Sequence, residues 1–253
     1  MRLLERNRDH GGITAIIIGR MGAGKTTFML SKLAVPLMGR REFLMWHGME
    51  SCQWTYIEPS KIQLLLDPEF NYTVWNRKTE EKISLDDLPV QHSFCYELKD
   101  FYRKAKMHHL NVIYMDYDRW VEFFEFLNTR PDIKWISIFF DEIEKFTPAN
   151  VEGDLWRRNL RFANALAEFR KNFISFYCAA QQYSDVDYRV TRKMMYKVYL
   201  QDAKPPRSSM VFQHVPHHLK YGEAIVEGST FKKTTFTPLK KHLYLVMRIE
   251  KPL

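Results

Sequence analysis

Cysteine is scarce in this chain. Among 253 residues there are three, Cys52, Cys95 and Cys178, odd in number, widely spaced and without a C-x-x-C pair. A disulfide framework is therefore not suggested, zinc-ligand spacing is missing, and a reducing cytoplasm is the expected setting. Long hydrophobic runs are missing as well: no stretch of roughly 18 apolar residues reads as a membrane span. The run from Met1 to Asp9 lacks the apolar centre of a secretory signal. No internal repeat or low-complexity tract is present, which removes solenoid and linker architectures. The histidine pairs His108-His109 and His217-His218 have no third ligand at a recognisable spacing, so they read as surface or packing residues rather than metal ligands.

What is present suits a folded globular protein. Hydrophobic residues make up 45% and aromatics 15% of the chain, enough for a sizeable core. The length favours a single domain over 1–253, with a small elaboration. The net charge of +8 is unevenly placed: residues 189–253 hold 13 Lys/Arg against 4 Asp/Glu, and the remainder is about neutral. Such asymmetry points to an anionic partner, nucleic acid first, with Arg189, Arg192, Lys193, Lys232, Lys233, Lys240 and Lys241 as candidate contacts.

Glycine is also sparing, ten in all, yet three fall within the eight residues Gly19-Arg20-Met21-Gly22-Ala23-Gly24-Lys25-Thr26. This stretch fits G-x-x-x-x-G-K-[ST], and its context is a buried strand over 13–18 and helical composition from Thr27 to about Val35, where Pro36 is expected to interrupt. Glycines let backbone N–H groups wrap phosphate oxygens at a helix N-terminus. Gly19, Gly22, Ala23, Gly24, Lys25, Thr26 and Thr27 form the candidate nucleotide-binding set. Lys25 would hold the β- and γ-phosphates of ATP, and Thr26 would offer its hydroxyl to Mg²⁺.

A second strand, 134–140, ends in Asp141-Glu142. One carboxylate at such a tip can orient Mg²⁺, and the next can polarise a water against the γ-phosphate. A third strand, 173–180, ends in Gln181-Gln182, and Gln181 can report on the γ-phosphate. Arg170 caps the preceding helix; it is a candidate arginine finger for a neighbouring subunit, in competition with Arg157, Arg158 and Arg161. Helices are expected over 116–127 and 155–169, further strands at 111–115, 197–200 and 243–249. Residues 1–12 read as a polar lead-in ending in a flexible Gly11-Gly12, 40–105 as an elaboration on the core, and 72–83 as a hairpin. Strands alternating with helices predict an α/β fold with a largely parallel sheet.

Together, GRMGAGKT at 19–26, the strand closing in Asp141-Glu142, and Arg170-Lys171 before a strand closing in Ala180-Gln181 resemble the FtsK–HerA superfamily of DNA-pumping ATPases. The likeness is nearest to the genome-packaging ATPases of tailless, membrane-containing icosahedral viruses. It covers roughly 12–35 and 110–200 and the last strand, read to Leu253. The resemblance implies a RecA-like core of the ASCE P-loop type with an extra strand between the phosphate-loop strand and the acidic strand. It also implies a homo-oligomeric ring, a hexamer, with ATP hydrolysed at subunit interfaces while double-stranded DNA passes through the pore. In its terms Lys25 and Thr26 are the Walker A pair, Asp141 the Mg²⁺ acid, Glu142 the base, Gln181 the sensor and Arg170 the trans-acting finger. Capsid or membrane-associated viral proteins are the implied docking partners, in the host cytoplasm at a virion or membrane portal. Ala180 stands where the family usually has Thr or Ser, and the DNA-tracking domain of cellular translocases is absent. Alternatives are a filamentous-phage-type assembly ATPase, a P-loop kinase and a nucleotide-gated DNA-binding scaffold.

Overall fold

A computed structural model describes residues 2–251; Met1 and the Pro252 and Leu253 of the expected last strand lie outside the described residues. The apolar runs form strands β1 (Thr14–Ile18), β2 (Glu42–His47), β3 (Ile62–Leu66), β4 (Asn71–Asn76), β5 (Lys82–Ile83), β6 (Gln91–Phe94) and β7 (Leu110–Tyr114). Next come β8 (Trp135–Phe140), β9 (Ile174–Ala180), β10 (Tyr196–Tyr199), β11 (Glu223–Glu227), β12 (Phe231–Thr235) and β13 (Leu245–Glu250). Ten of them make one sheet in the order β12-β11-β10-β1-β9-β8-β2-β7-β3-β6, and β13-β4-β5 make a second, three-stranded sheet. From β10 to β6 every pairing is parallel; β11 and β12 add an antiparallel edge. β9 is the strand inserted between β1 and β8, as the resemblance implies.

Both faces of the sheet are covered, and alternation along each strand assigns side chains to a face. Ile16, Ile18, Ile136, Ile138, Phe140, Phe176 and Cys178 join one core; Ala15, Ile17, Phe139, Tyr177 and Ala179 join the other. The first core is closed by helices α4 (Tyr117–Thr129) and α6 (Gly153–Phe169), introduced after the short α1 (Lys25–Phe28), α2 (Val35–Met38) and α3 (Leu98–Arg103) and flanking α5 (Ile143–Phe146). Phe124 is its hub, with ring centroids 5.1 Å from Phe162, 5.3 Å from Trp120 and 5.5 Å from Phe169. The second core is closed by the helix after the phosphate loop and by Val74, Leu245 and Met247 of the small sheet.

Four expectations change. The helix does not stop at Pro36: α1 passes through a π turn (Met29–Ala34) into α2, and Val35 N–H donates to the Leu30 carbonyl five residues back. The wider turn carries the carbonyl that would clash with the proline ring out of its way. Residues 40–105 are not only an elaboration, since β2 lies between β8 and β7, and β3 and β6 extend the same sheet; only β4 and β5 leave it. The 72–83 hairpin does form, with Val74 opposite Ile83, but its outer partner is β13, so the last strand belongs to the small sheet. The lead-in is docked beneath the sheet: Leu3 is buried, and Arg6 Nε donates to Glu42 Oε2 at 3.0 Å. Gly11 and Gly12 there serve close packing, because a Cβ would lie 2.1 Å from the Arg170 carbonyl oxygen and 1.9 Å from that of Ile174.

Candidate functional site

Parallel strands deliver their C-terminal tips to one edge, and loops at that edge are where ligands of such sheets bind. β1, β8 and β9 are neighbours, so the segments that follow them meet. Gly22 (φ 79°) and Gly24 (φ 90°) take the left-handed backbone that the loop after β1 requires, and Gly24 caps α1. A Cβ on Gly24 would also sit 2.9 Å from the Phe236 ring.

Thr26 Oγ1 donates to Asp141 Oδ2 at 2.5 Å, joining the loop to the tip of β8. Lys25 Nζ donates to the carbonyls of Gly19 (2.8 Å) and Arg20 (3.2 Å). Glu142 has φ 51°, a backbone that L residues seldom adopt, and its carboxylate pairs with Lys145 Nζ at 2.5 Å. Lys25, Thr26, Asp141, Glu142 and Gln181 line one pocket of about 420 Å³, with Gly22, Gly24 and Thr27. Gly19 and Ala23 shape the loop from behind, and Ala23 is buried against the core.

Burial pulls the Lys25 ammonium below the ordinary lysine range, while Asp141, Glu144 and Glu142 oppose the shift. Burial likewise pushes the Asp141 carboxyl above its usual range, against the pull of the Thr26 hydroxyl and Lys25. A hydroxyl and a carboxylate in contact are hard oxygen donors of the kind Mg²⁺ takes. Among the described residues no group of three or more His, Cys, Asp or Glu could hold a metal by itself.

Arg170 is elsewhere. Its carbonyl accepts the Gly12 N–H (2.9 Å) and its Nε donates to the His10 carbonyl (2.6 Å), at the N-terminal end of β1. It is thus a strand's length, roughly 20 Å, from its own phosphate loop. The competing arginines are engaged: Arg157 with Asp154, Arg158 with the Phe146 carbonyl, Arg161 with both oxygens of Glu125.

Sequence reasoning missed several residues that line this pocket or hold one of its lining residues. Glu144 Oε1 accepts the Gln181 N–H at 3.2 Å, tying the tip of β9 to α5, and burial pushes its carboxyl up. Its only sequence signal is an acid in a helix's first turn, which the helix dipole already explains. Ser51, Tyr56, Arg77, Tyr221 and Lys241 also line the pocket. Arg77 stands at the tip of the expected hairpin, and Lys241, a candidate DNA contact by its charge, lies here; nothing in the local sequence of the others marks them.

No family model matches the chain, and no curated protein matches it. Solved structures do match, at low identity. The genome packaging NTPase B204 of Sulfolobus turreted icosahedral virus 2, in complex with ATP-gammaS, superposes with a TM-score of 0.56 and 11% identity over 93% of this chain and 100% of that one. The bacterial conjugative coupling protein TrwBdeltaN70 gives 0.62 and 11% over 95% and 92%. The pCW3 conjugation coupling protein TcpA with ATPgS gives 0.55 and 9% over 94% and 68%. The likeness is one of fold: an α/β protein of the RecA-like P-loop NTPase type, its largely parallel sheet flanked by helices.

Proposed function

We propose that this chain is an ATPase that moves double-stranded DNA, one subunit of a homo-oligomeric ring of the FtsK–HerA kind. The observation that carries the reading is the Thr26–Asp141 hydrogen bond of 2.5 Å in a pocket that also takes in Lys25, Glu142 and Gln181. Lys25 and the loop N–H groups bind the triphosphate tail. Thr26 and Asp141 would hold Mg²⁺, which neutralises charge on the phosphates when bound. Glu142, once released from Lys145, accepts a proton from the attacking water, and Gln181 hydrogen-bonds the γ-phosphate or that water. Arg170, remote from its own pocket, serves the neighbouring subunit's site in this reading.

Among DNA-moving roles we infer packaging of a viral genome, on the resemblance carried by 19–26, 111–200 and Arg170. A second reading, a conjugative coupling role, is favoured by the TM-score of 0.62 to TrwBdeltaN70. Two results test the shared core of both readings. ATP turnover should rise with added duplex DNA, and Glu142→Gln should keep ATP binding while turnover falls by about 10² or more, the scale of a positioned general base. Turnover that rises with a small-molecule acceptor and ignores DNA would identify a kinase instead.

A further inference from the structure

The pocket has a second cationic wall that none of the motifs supplies. Arg77 projects from the turn between β4 and β5, and Lys241 from the segment leading into β13. Several contacts fix the two together. Arg77 N–H donates to the Tyr244 carbonyl at 2.7 Å. The Lys78 ammonium stands 3.8 Å from the Tyr244 ring centroid, and Lys241 stands 5.3 Å from that ring and 5.5 Å from Tyr56. His242 N–H donates to the Thr55 carbonyl at 2.9 Å, anchoring the segment to the short turn that carries Tyr56. Neither Arg77 nor Lys241 has a carboxylate partner among the described residues. Burial and the Arg77 charge both push the Lys241 ammonium below the ordinary lysine range. Arg77, Ser51 and Glu142 also form the wall between this pocket and the adjoining one. Arg77 therefore borders the space next to Glu142, and Lys241 lines the same pocket as the phosphate loop.

Two unpaired cations held side by side in a pocket that already has Lys25 lower their energy by taking a polyanion between them. We propose that Arg77 and Lys241 form a cis-acting second phosphate subsite, which grips the terminal phosphate of a nucleoside triphosphate and so couples the small β4–β5–β13 sheet to nucleotide state. This rests on the nucleotide-binding reading above. Both residues come from the same chain as the phosphate loop, so the grip does not wait for a neighbouring subunit. Loss of the terminal phosphate removes the anion that offsets their mutual repulsion, and the two side chains then lose their shared partner while the backbone pairing of β4 with β13 persists.

The test uses the whole protein with Arg77→Met and Lys241→Met, which keep the aliphatic packing, and the conservative Arg77→Lys and Lys241→Arg. Affinities for ATPγS, ADP and AMP are measured by calorimetry in Mg²⁺. Each Met variant should bind ATPγS about tenfold more weakly, the size of one charge-assisted hydrogen bond, with AMP changed less than about twofold and the conservative variants largely restored. Wild-type affinity for ATPγS in the Met variants, or equal losses for all three nucleotides, would overturn the subsite while leaving the nucleotide-binding reading intact. Failure of the wild-type chain to bind ATPγS at all would overturn both.

Discussion

At Thr26 a single hydroxyl links two motifs 115 residues apart. Removing it in Thr26→Ala leaves Asp141 buried without its closest donor, and a buried carboxylate so stripped disfavours its charged form. Mg²⁺-dependent ATPγS binding should weaken by about 10–100-fold, the usual cost of disturbing a metal's supporting shell. A magnesium titration followed by calorimetry checks this, and Thr26→Ser should restore most of the loss. The motif residues were legible because each stands at a strand tip beside a run of buried apolar residues, so chain-local pattern fixes both identity and place. Gln181 was legible only as a consequence of its strand lying next to the other two. Glu144, Tyr221 and Arg77 were not legible as site residues. Their positions depend on a helix cap, a loop after β10 and a hairpin held by β13, contacts between residues far apart in sequence. Lys241 was singled out by charge alone, as a candidate DNA contact, and its place in the pocket follows from the pairing of β4 with β13.

Among the elements, β2 was the hardest to read. All six of its residues are buried, so it lacks the in-and-out alternation that marks a half-covered strand. It begins with a buried Glu42, held by Arg6 and Ser137, and ends with a buried His47 stacked 4.0 Å from Phe140 of β8. That histidine carries a pH prediction. Burial, with Lys145 nearby, pulls it from 6.5 to about 3. Between those two values the unfolded chain takes up a proton that the folded chain refuses. Stability is therefore fully present above about pH 6.5 and falls as pH drops toward 3, by up to about 1.4 kcal/mol per pH unit. His47→Phe keeps the stacked ring and removes the titrating group. Urea midpoints should coincide less and less on going from pH 7 to pH 4.5, with the variant the more stable in acid. Parallel pH profiles for the two proteins would place the acid sensitivity elsewhere. At Phe124 of α4, by contrast, the helical spacing of Trp120, Phe123, Phe124 and Leu127 was enough, because the apolar stripe faces a single sheet. Phe124→Ala should cost about 3–5 kcal/mol by the same unfolding assay, since six aromatic neighbours cannot close the gap together.

Across the whole molecule, the basic excess of the C-terminal part is distributed unevenly between ion pairs and free charge. Lys233 is paired with Glu223 at 2.8 Å, Lys251 with Asp116 at 3.0 Å, and Arg189 with Asp187 at 2.6 Å while stacking 4.7 Å from the Trp156 centroid. Arg192 and Lys232 are exposed and carry no ion pair among the described residues. A duplex that binds through its phosphates releases one condensed counterion per neutralised contact, and a cation already paired within the protein gains little from a phosphate. If DNA is the partner, Arg192→Gln and Lys232→Gln should each lower the slope of log affinity against log salt by about 0.9, the value for one phosphate contact on duplex DNA. Lys233→Gln should change it much less. Anisotropy of a labelled duplex across a sodium chloride series measures all three. Affinity should fall alike for unrelated duplex sequences, because phosphate contacts carry no sequence information. Slopes that match the wild type in all three variants would detach the basic C-terminal part from DNA altogether, and the excess positive charge would then face solvent or another protein.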